Sequence, residues 1–138
     1  MFKVPPDSIE TYFAFDPVRR TDLESLDRVI RQTAPGLEPH FHAGTPLGTP
    51  GMRMKMIGYG RAAGKGFDWP VIGVALQKNY ISVYITGVPG LAHHGDTLGA
   101  LRTGHNNFSF KRFGDLDAVR LKALIADIAA TVAGPARV

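Results

Sequence analysis

The stretch that decides the fold is Phe67–Thr86, which reads FDWPVIGVALQKNYISVYIT. It predicts two strands joined by a tight turn at Gln77-Lys78-Asn79. The first strand, residues 71–76, is apolar on both faces, which is typical of a strand covered on both sides. The second strand alternates with a period of two, so its two faces differ. The alternating sets are Ile81, Val83 and Ile85 on one face, and Tyr80, Ser82 and Tyr84 on the other.

The length and composition favour one domain spanning residues 1–138. The hydrophobic fraction of 44% is ordinary and suffices for one core. The sequence contains no cysteine, which excludes disulfides, thiolate metal sites and cysteine nucleophiles. This composition fits a cytoplasmic chain. The net charge of +4 permits weak attraction to acidic partners, but it does not favour nucleic-acid binding.

The sequence predicts no membrane partner. The N-terminal MFKVPPDSIE has no apolar core of the kind a signal peptide needs. Apolar runs elsewhere are shorter than the roughly 20 residues that cross a membrane as a helix.

Helices are predicted at both ends of the chain. Asp7 and Ser8 are candidate caps of a first helix that reaches Phe13. Asp16-Pro17 opens a second helix, because aspartate caps well and proline is tolerated in the first turn. Pro35-Gly36 stops this second helix.

The rest of the chain predicts further strands and a last helix. Residues 52–57 and 107–111 alternate as strands do, and the glycine-rich segment 58–66 between strands is predicted to be a hairpin loop. Asp115 or Asp117 caps the closing helix. The predicted apolar stripe of that helix is Leu121, Leu124, Ile125, Ile128 and Val132.

This order of elements predicts an α+β fold. Short turns between neighbouring strands indicate a mainly antiparallel sheet of about four to five strands. The N- and C-terminal helices are expected to pack together on one face, which gives a two-layer sandwich.

Four segments carry a pattern that resembles the YdhG-like family, a domain of unknown function. They are IGYG at 57–60, GFDWPVIG at 66–73, QKNYISVY at 77–84 and NFSFKRF at 107–113. The resemblance runs from about residue 16 to residue 128 and implies a compact α/β sandwich similar to frataxin in architecture. It implies no established reaction. Relatives often carry glycine, lysine and cysteine where this chain has Gly104-His105-Asn106-Asn107, so a role that rests on them does not transfer.

Aromatic side chains with nearby cations form the predicted ligand surface. If the helices cover the face of Ile81, then Tyr80 and Tyr84 lie on the other face of the sheet. Aromatic rings and cations suit a small anionic or planar ligand. They also suit the seam of a homodimer or a partly buried packing layer. The predicted ligand-binding residues are Lys78, Tyr80, Tyr84, Tyr59 and Trp69.

Two groups of histidines are candidate metal ligands. His40-x-His42 places two imidazoles on one face of an extended segment, and His93-His94 lies close to Asp96. A zinc site normally needs three or four protein ligands, and neither group supplies three, so no metal site is assigned. Acidic residues of the second helix, which iron binding of the frataxin kind would use, are interspersed with arginines. Binding or delivery of iron or zinc is therefore the alternative function.

No catalytic residue and no cofactor are predicted. The sequence lacks a Gly-x-Ser-x-Gly motif, and segment 58–66 lacks both the spacing and the Ser or Thr of a phosphate-binding loop. We therefore expect a small non-enzymatic protein that uses the aromatic and basic sheet face to bind a ligand or to associate with itself. An enzyme acting on a small anionic substrate is a further alternative.

Overall fold

The computed structural model describes residues 6–44, 54–61, 70–86, 98–104 and 106–133. Three α-helices, a short 3-10 helix and six strands make up this part of the chain. The helices are α1 (Ile9–Phe15), α2 (Arg20–Thr33), the 3-10 helix (Phe113–Asp115) and α3 (Ala118–Ala133). The strands are β1 (Pro39–His42), β2 (Met56–Tyr59), β3 (Ile72–Leu76), β4 (Ile81–Ile85), β5 (Arg102–Thr103) and β6 (Asn107–Phe110).

All six strands form one antiparallel sheet in the order β1-β2-β3-β4-β6-β5. The first four strands are neighbours in the sheet in the same order as in the sequence, and the short turn between β3 and β4 makes that pair a hairpin. The strand β6 then pairs with β4, and β5 occupies the far edge. The predicted α+β class is confirmed. The sheet exceeds the expected number of strands because β5 has only two residues, too few to show an alternating pattern.

The helices pack on one face of the sheet, as predicted. Side chains of α2 and α3 meet those of β3, β4 and β6 around a small apolar interior space, which Leu26, Val83 and Leu124 help to line. Ile81 and Val83 are buried in this core, so the aliphatic side of β4 faces the helices. The other core residues of the sheet on this face are Ile57, Tyr59, Ile72, Val74, Leu76, Ile85, Phe108 and Phe110.

The helix caps follow the sequence closely. The Ser8 hydroxyl accepts a hydrogen bond from the Thr11 N–H at 3.2 Å and begins α1. Asp117 accepts one from the Arg120 N–H at 3.0 Å and begins α3. The start of α2 lies later than the predicted Asp16-Pro17, because the Asp16 side chain binds the Val18 N–H and closes a separate turn.

Strand β2 corrects the sequence prediction. Residues 58–66 were expected to form a loop, but Gly58 and Tyr59 belong to β2 and pair with Gly73 and Ile72. The glycine is there for packing, since a Cβ at Gly58 would lie 2.5 Å from His40 Cε1. Strand β2 begins at Met56 and ends at Tyr59, two residues beyond the end of the predicted strand at residue 57.

Two buried polar side chains tie helices α1 and α2 to other parts of the fold. The Tyr12 hydroxyl of α1 donates to the Lys55 carbonyl oxygen at 3.0 Å and accepts from the Leu76 N–H at 2.7 Å. The Asp22 carboxylate of α2 is 4% exposed and accepts from Arg112 Nε at 3.1 Å and from the Phe113 N–H at 3.0 Å. These bonds set where α1 and α2 sit along the sheet and beside the 3-10 helix.

None of the helices in the described ranges is both long enough and apolar enough to cross a membrane.

We predict that Tyr12→Phe lowers the free energy of unfolding by about 1–3 kcal/mol, because it removes the partner of the buried Leu76 N–H. Urea unfolding followed by circular dichroism measures the change, and the slope against urea should stay the same. An unchanged midpoint would show that the hydroxyl contributes nothing to the joint between α1 and the sheet.

Candidate functional site

The predicted ligand-binding residues do not form one surface. Tyr59 is buried on the helix-facing side of the sheet, whereas Tyr84 is half-buried on the other side. Lys78 is exposed in the β3–β4 turn, which the Gln77 N–H closes by donating to the Tyr80 carbonyl at 2.9 Å. Trp69 lies outside the described residues. Tyr59 is therefore not part of a surface with Tyr84, and ligand binding by the other three described residues stays a prediction.

Tyr80 and Tyr84 are also well separated along the sheet. Tyr80 immediately precedes β4, and Tyr84 lies four residues further on, opposite Gly73 and Asn107. At about 3.3 Å per strand residue, roughly 13 Å separates them. Tyr80 and Tyr84 therefore lie near opposite ends of β4.

The second face of the sheet is not open over its centre. Met56, Ala75, Ser82 and Ser109 are all buried there. Small residues let other groups pack onto this face: a Cβ at Gly73 would lie 2.7 Å from Met56 Sδ and 3.3 Å from Pro70 Cγ. The centre of the tyrosine-bearing face is therefore packed, and use of this face by a partner stays a prediction. An alternation with a period of two shows which residues share a face of a strand. It does not show whether that face is exposed to solvent or packed against other groups.

Tyr59 anchors β2 to α2. Its hydroxyl donates to Asp27 Oδ1 at 2.6 Å, and Asp27 in turn pairs with Arg31 at 2.9 Å. Burial raises the pKa of Tyr59 well above its ordinary value, and the neighbouring Asp27 carboxylate raises it further. The neutral phenol is a structural hydrogen-bond donor at physiological pH.

A cleft of about 460 Å³ lies between the α2–β1 connection and the end of β2. Its volume falls within the roughly 300–1,000 Å³ typical of small-molecule sites. The described residues that line it are Gly36, Glu38, Pro39, His40, Gly60 and Arg61.

One backbone hydrogen bond shapes the α2–β1 wall of this cleft, and a second joins that wall to the end of β2. The Leu37 N–H donates to the Ala34 carbonyl at 3.0 Å, and the Gly60 N–H donates to the Glu38 carbonyl at 2.9 Å. Gly60 has a φ of +69°, in the left-handed region that favours glycine, and a Cβ there would lie 2.8 Å from Leu37 Cδ2. The cleft is therefore built into the β1–β2 pairing.

His40 is fixed at the base of the cleft. Its Nε2 lies 3.0 Å from the Gly60 carbonyl oxygen, and since a carbonyl only accepts, Nε2 carries the hydrogen. In the neutral ring, Nδ1 is then a hydrogen-bond acceptor. This atom is shielded from solvent and has no hydrogen-bond partner among the described residues. The ring rests against Gly58, so both its plane and its tautomer are set.

Glu38 and Arg61 place opposite charges on this one cleft. Both side chains belong to exposed residues at the ends of β1 and β2. The sequence analysis missed this site because its residues come from two segments about twenty positions apart. Only His40 was noted, as a candidate metal ligand, and the register His40↔Gly58 brings the segments together.

The histidines do not assemble a metal site in the described ranges. His40 and His42 share one face of β1, as predicted, but no group of three or more metal-ligating side chains occurs in the part of the chain that the structure describes. His93, His94 and Asp96 lie outside that part.

The acidic residues of α2 are engaged in pairs. Glu24 lies 3.3 Å from Arg20, and Asp27 and Asp22 pair with Arg31 and Arg112. Carboxylates that are already paired with arginines are poor ligands for iron, so α2 does not favour the metal alternative.

Comparisons with known protein families, with curated proteins and with solved structures found no match to this chain. The resemblance to the YdhG-like family, and the frataxin-like architecture that it implies, stay predictions from the sequence segments that carry them.

We predict a loss of stability at alkaline pH. Burial raises the pKa of both Tyr12 and Tyr59 above the ordinary 10.0, so the folded chain holds these protons more tightly than the unfolded chain. Their contribution is complete below about pH 10 and is lost as the pH rises through the raised values, by up to about 1.4 kcal/mol per pH unit for each group. Urea unfolding between pH 8 and 11 measures it, and Tyr12→Phe with Tyr59→Phe should remove the slope.

We predict that Gly58→Ala destabilises the fold and displaces the His40 ring, whereas Gly36→Ala does neither. A Cβ at Gly58 meets His40 and Pro70, and overpacking of this kind costs about 1–3 kcal/mol. A Cβ at Gly36 meets nothing within 4 Å. Thermal unfolding and the NMR signals of the His40 ring report the two effects. Equal behaviour of the two variants would contradict the packing described for His40.

Proposed function

We propose that the chain is a small non-enzymatic protein that binds a small molecule in the cleft at the ends of β1 and β2. The observation that carries the proposal is that three residues with polar side chains, Glu38, His40 and Arg61, are among those lining one cleft of ligand-binding size. A backbone hydrogen bond joins its walls, so the site is largely formed before a ligand arrives.

The chemistry of the lining favours binding over catalysis. The described lining residues include no hydroxyl or thiol that would act as a nucleophile. Two residues of that lining, Glu38 and His40, are of types suited to proton transfer, and the Nε2 of His40 is committed to the Gly60 carbonyl. The proposal includes a cytoplasmic location, which the cysteine-free sequence favours.

The cleft is a better candidate than the aromatic sheet face. Lys78 and Tyr84 lie far apart on the sheet, and the centre of the face that carries Tyr84 is buried. Binding of a ligand or of a second copy of the chain at the sheet face therefore stays the competing prediction. The experiment below distinguishes binding at the cleft from binding at the sheet face.

The test is a variant that fills the cleft without disturbing the fold. Gly36 lines the cleft, a Cβ there has open space around it, and its φ is not left-handed, so Gly36→Leu should fold normally. A metabolite library is screened by thermal shift against the wild type and this variant. We expect compounds that raise the melting temperature of the wild type and fail to raise that of Gly36→Leu.

Lys78→Ala and Tyr84→Ala are the matched control variants on the sheet. In both, the compounds should raise the melting temperature as they do in the wild type. A shift that survives Gly36→Leu but is lost in Lys78→Ala would favour the sheet face and overturn the cleft. A library without any stabilising compound would also overturn it. Zinc and ferrous iron belong in the same screen: stabilisation by either metal that is lost in His40→Ala and His42→Ala would favour the metal alternative.

A further inference from the structure

We infer that the core contains a dry binding site for one small uncharged apolar guest, a monatomic or diatomic gas of the kind of xenon or dioxygen. The site is the interior cavity between the helix layer and the sheet. It shares no described lining residue with the cleft at the ends of β1 and β2, so this inference does not depend on the proposed function.

The walls of the cavity come from both layers of the fold. Helices α2 and α3 supply one side, with side chains such as Leu26 and Leu124. Strands β3, β4 and β6 supply the other, with side chains such as Val83 and Phe108. All ten described residues of the lining are apolar, and none is more than 3% exposed. The cavity therefore belongs to the core of the protein.

This lining disfavours water and every polar ligand. A buried water molecule typically makes about three hydrogen bonds to polar groups around it. Nine of the ten described lining side chains are aliphatic and the tenth is Phe108, so they offer no hydrogen-bonding group. A water molecule or a charged ligand placed here gives up hydrogen bonds that nothing replaces. We therefore expect the cavity to stay dry and to accept only an apolar guest.

The size of the cavity limits the guest to one or two heavy atoms. The centre of a water-sized sphere can move through about 10 Å³ of the cavity. A guest slightly larger than water therefore fits, whereas an aromatic ring or an alkyl chain does not.

Dispersion supplies the affinity. Atoms that border an empty space lack van der Waals partners on one side, and a guest restores those contacts. Because dispersion increases with the polarisability of the guest, xenon should bind more tightly than dioxygen, and helium should not bind measurably.

Val83 is the smallest side chain of the described lining, and it is the position at which the cavity is best filled. It lies in the middle of β4, between Val74 of β3 and Phe108 of β6. Isoleucine adds one carbon atom to a side chain that borders the cavity. Val74 provides the matched control, because it is buried in the same core but does not belong to the described lining.

The test is methyl NMR of the full chain under xenon at several pressures, with helium at the same pressures as the control. We expect xenon to shift the methyl signals of lining residues such as Leu26, Val83 and Leu124 and to reach saturation. The exposed Val18 and Val119 should show no saturable shift. Dioxygen, which is paramagnetic, should broaden the same lining signals.

Two isoleucine variants locate the site. Val83→Ile should weaken xenon binding by at least about tenfold without lowering the melting temperature, because the added carbon occupies empty space. Val74→Ile should lower the melting temperature, since it adds the same carbon where no cavity was found, and it should keep xenon binding.

Three results would overturn the inference. The first is a wild-type protein whose lining signals show no saturable response to xenon. The second is an unchanged xenon affinity in Val83→Ile. The third is a melting temperature that falls as far in Val83→Ile as in Val74→Ile, which would show, without any guest, that the core has no room at this position. None of these results bears on the cleft, which the metabolite screen tests separately.

Discussion

The contact between the His40 ring and the bare backbone of Gly58 is the constraint on which the site depends. Because Gly58 has no side chain, β1 and β2 pair with an imidazole lying across the second face of the sheet. The same register brings Gly60 beneath His40 Nε2 and opposite Glu38. Any bulk at position 58 would disturb the ring, its hydrogen bond and the shape of the cleft together.

The helix layer depends on a different kind of constraint. Apolar burial against the sheet is non-directional and would tolerate several positions of each helix. Directional bonds choose among them: Tyr12 joins α1 to the ends of β2 and β3, Asp22 joins α2 to the 3-10 helix, and Tyr59 joins β2 to Asp27 of α2. A buried polar group that loses its partner costs more than it gained, so these three side chains disfavour sliding of the layers.

Much of the fold was predictable because the relevant signals are local. The alternation over Tyr80–Ile85 identified both the strand and its helix-facing side, and Ser8 and Asp117 marked the helix starts. Gly58 was misassigned to a loop because a glycine that accommodates a neighbouring ring looks, in sequence, like a glycine that permits a turn. Burial of the second face was only one of the alternatives that the sequence left open, because what packs on residues such as Ala75 and Ser82 depends on the tertiary structure.

Most of the candidate site could not be predicted from the sequence. His40 stood out as a titratable residue, but Glu38 and Arg61 are ordinary charged residues until pairing of β1 with β2 places them around one cleft. The described members of the predicted aromatic set lie on both faces of the sheet, because residues that are close in the sequence or alike in chemistry need not lie together. Tyr59 shows the error most clearly, because it serves the core through its bond to Asp27.

The open space around Gly36 has an evolutionary consequence. Most residues near the cleft are held by packing or by backbone hydrogen bonds. A mutation there that changes ligand recognition also lowers the stability of the fold. Position 36 is less constrained, because a Cβ added there has no other heavy atom within 4 Å. Descendants of this protein can narrow or reshape what they accept by single substitutions at one site while the scaffold stays intact.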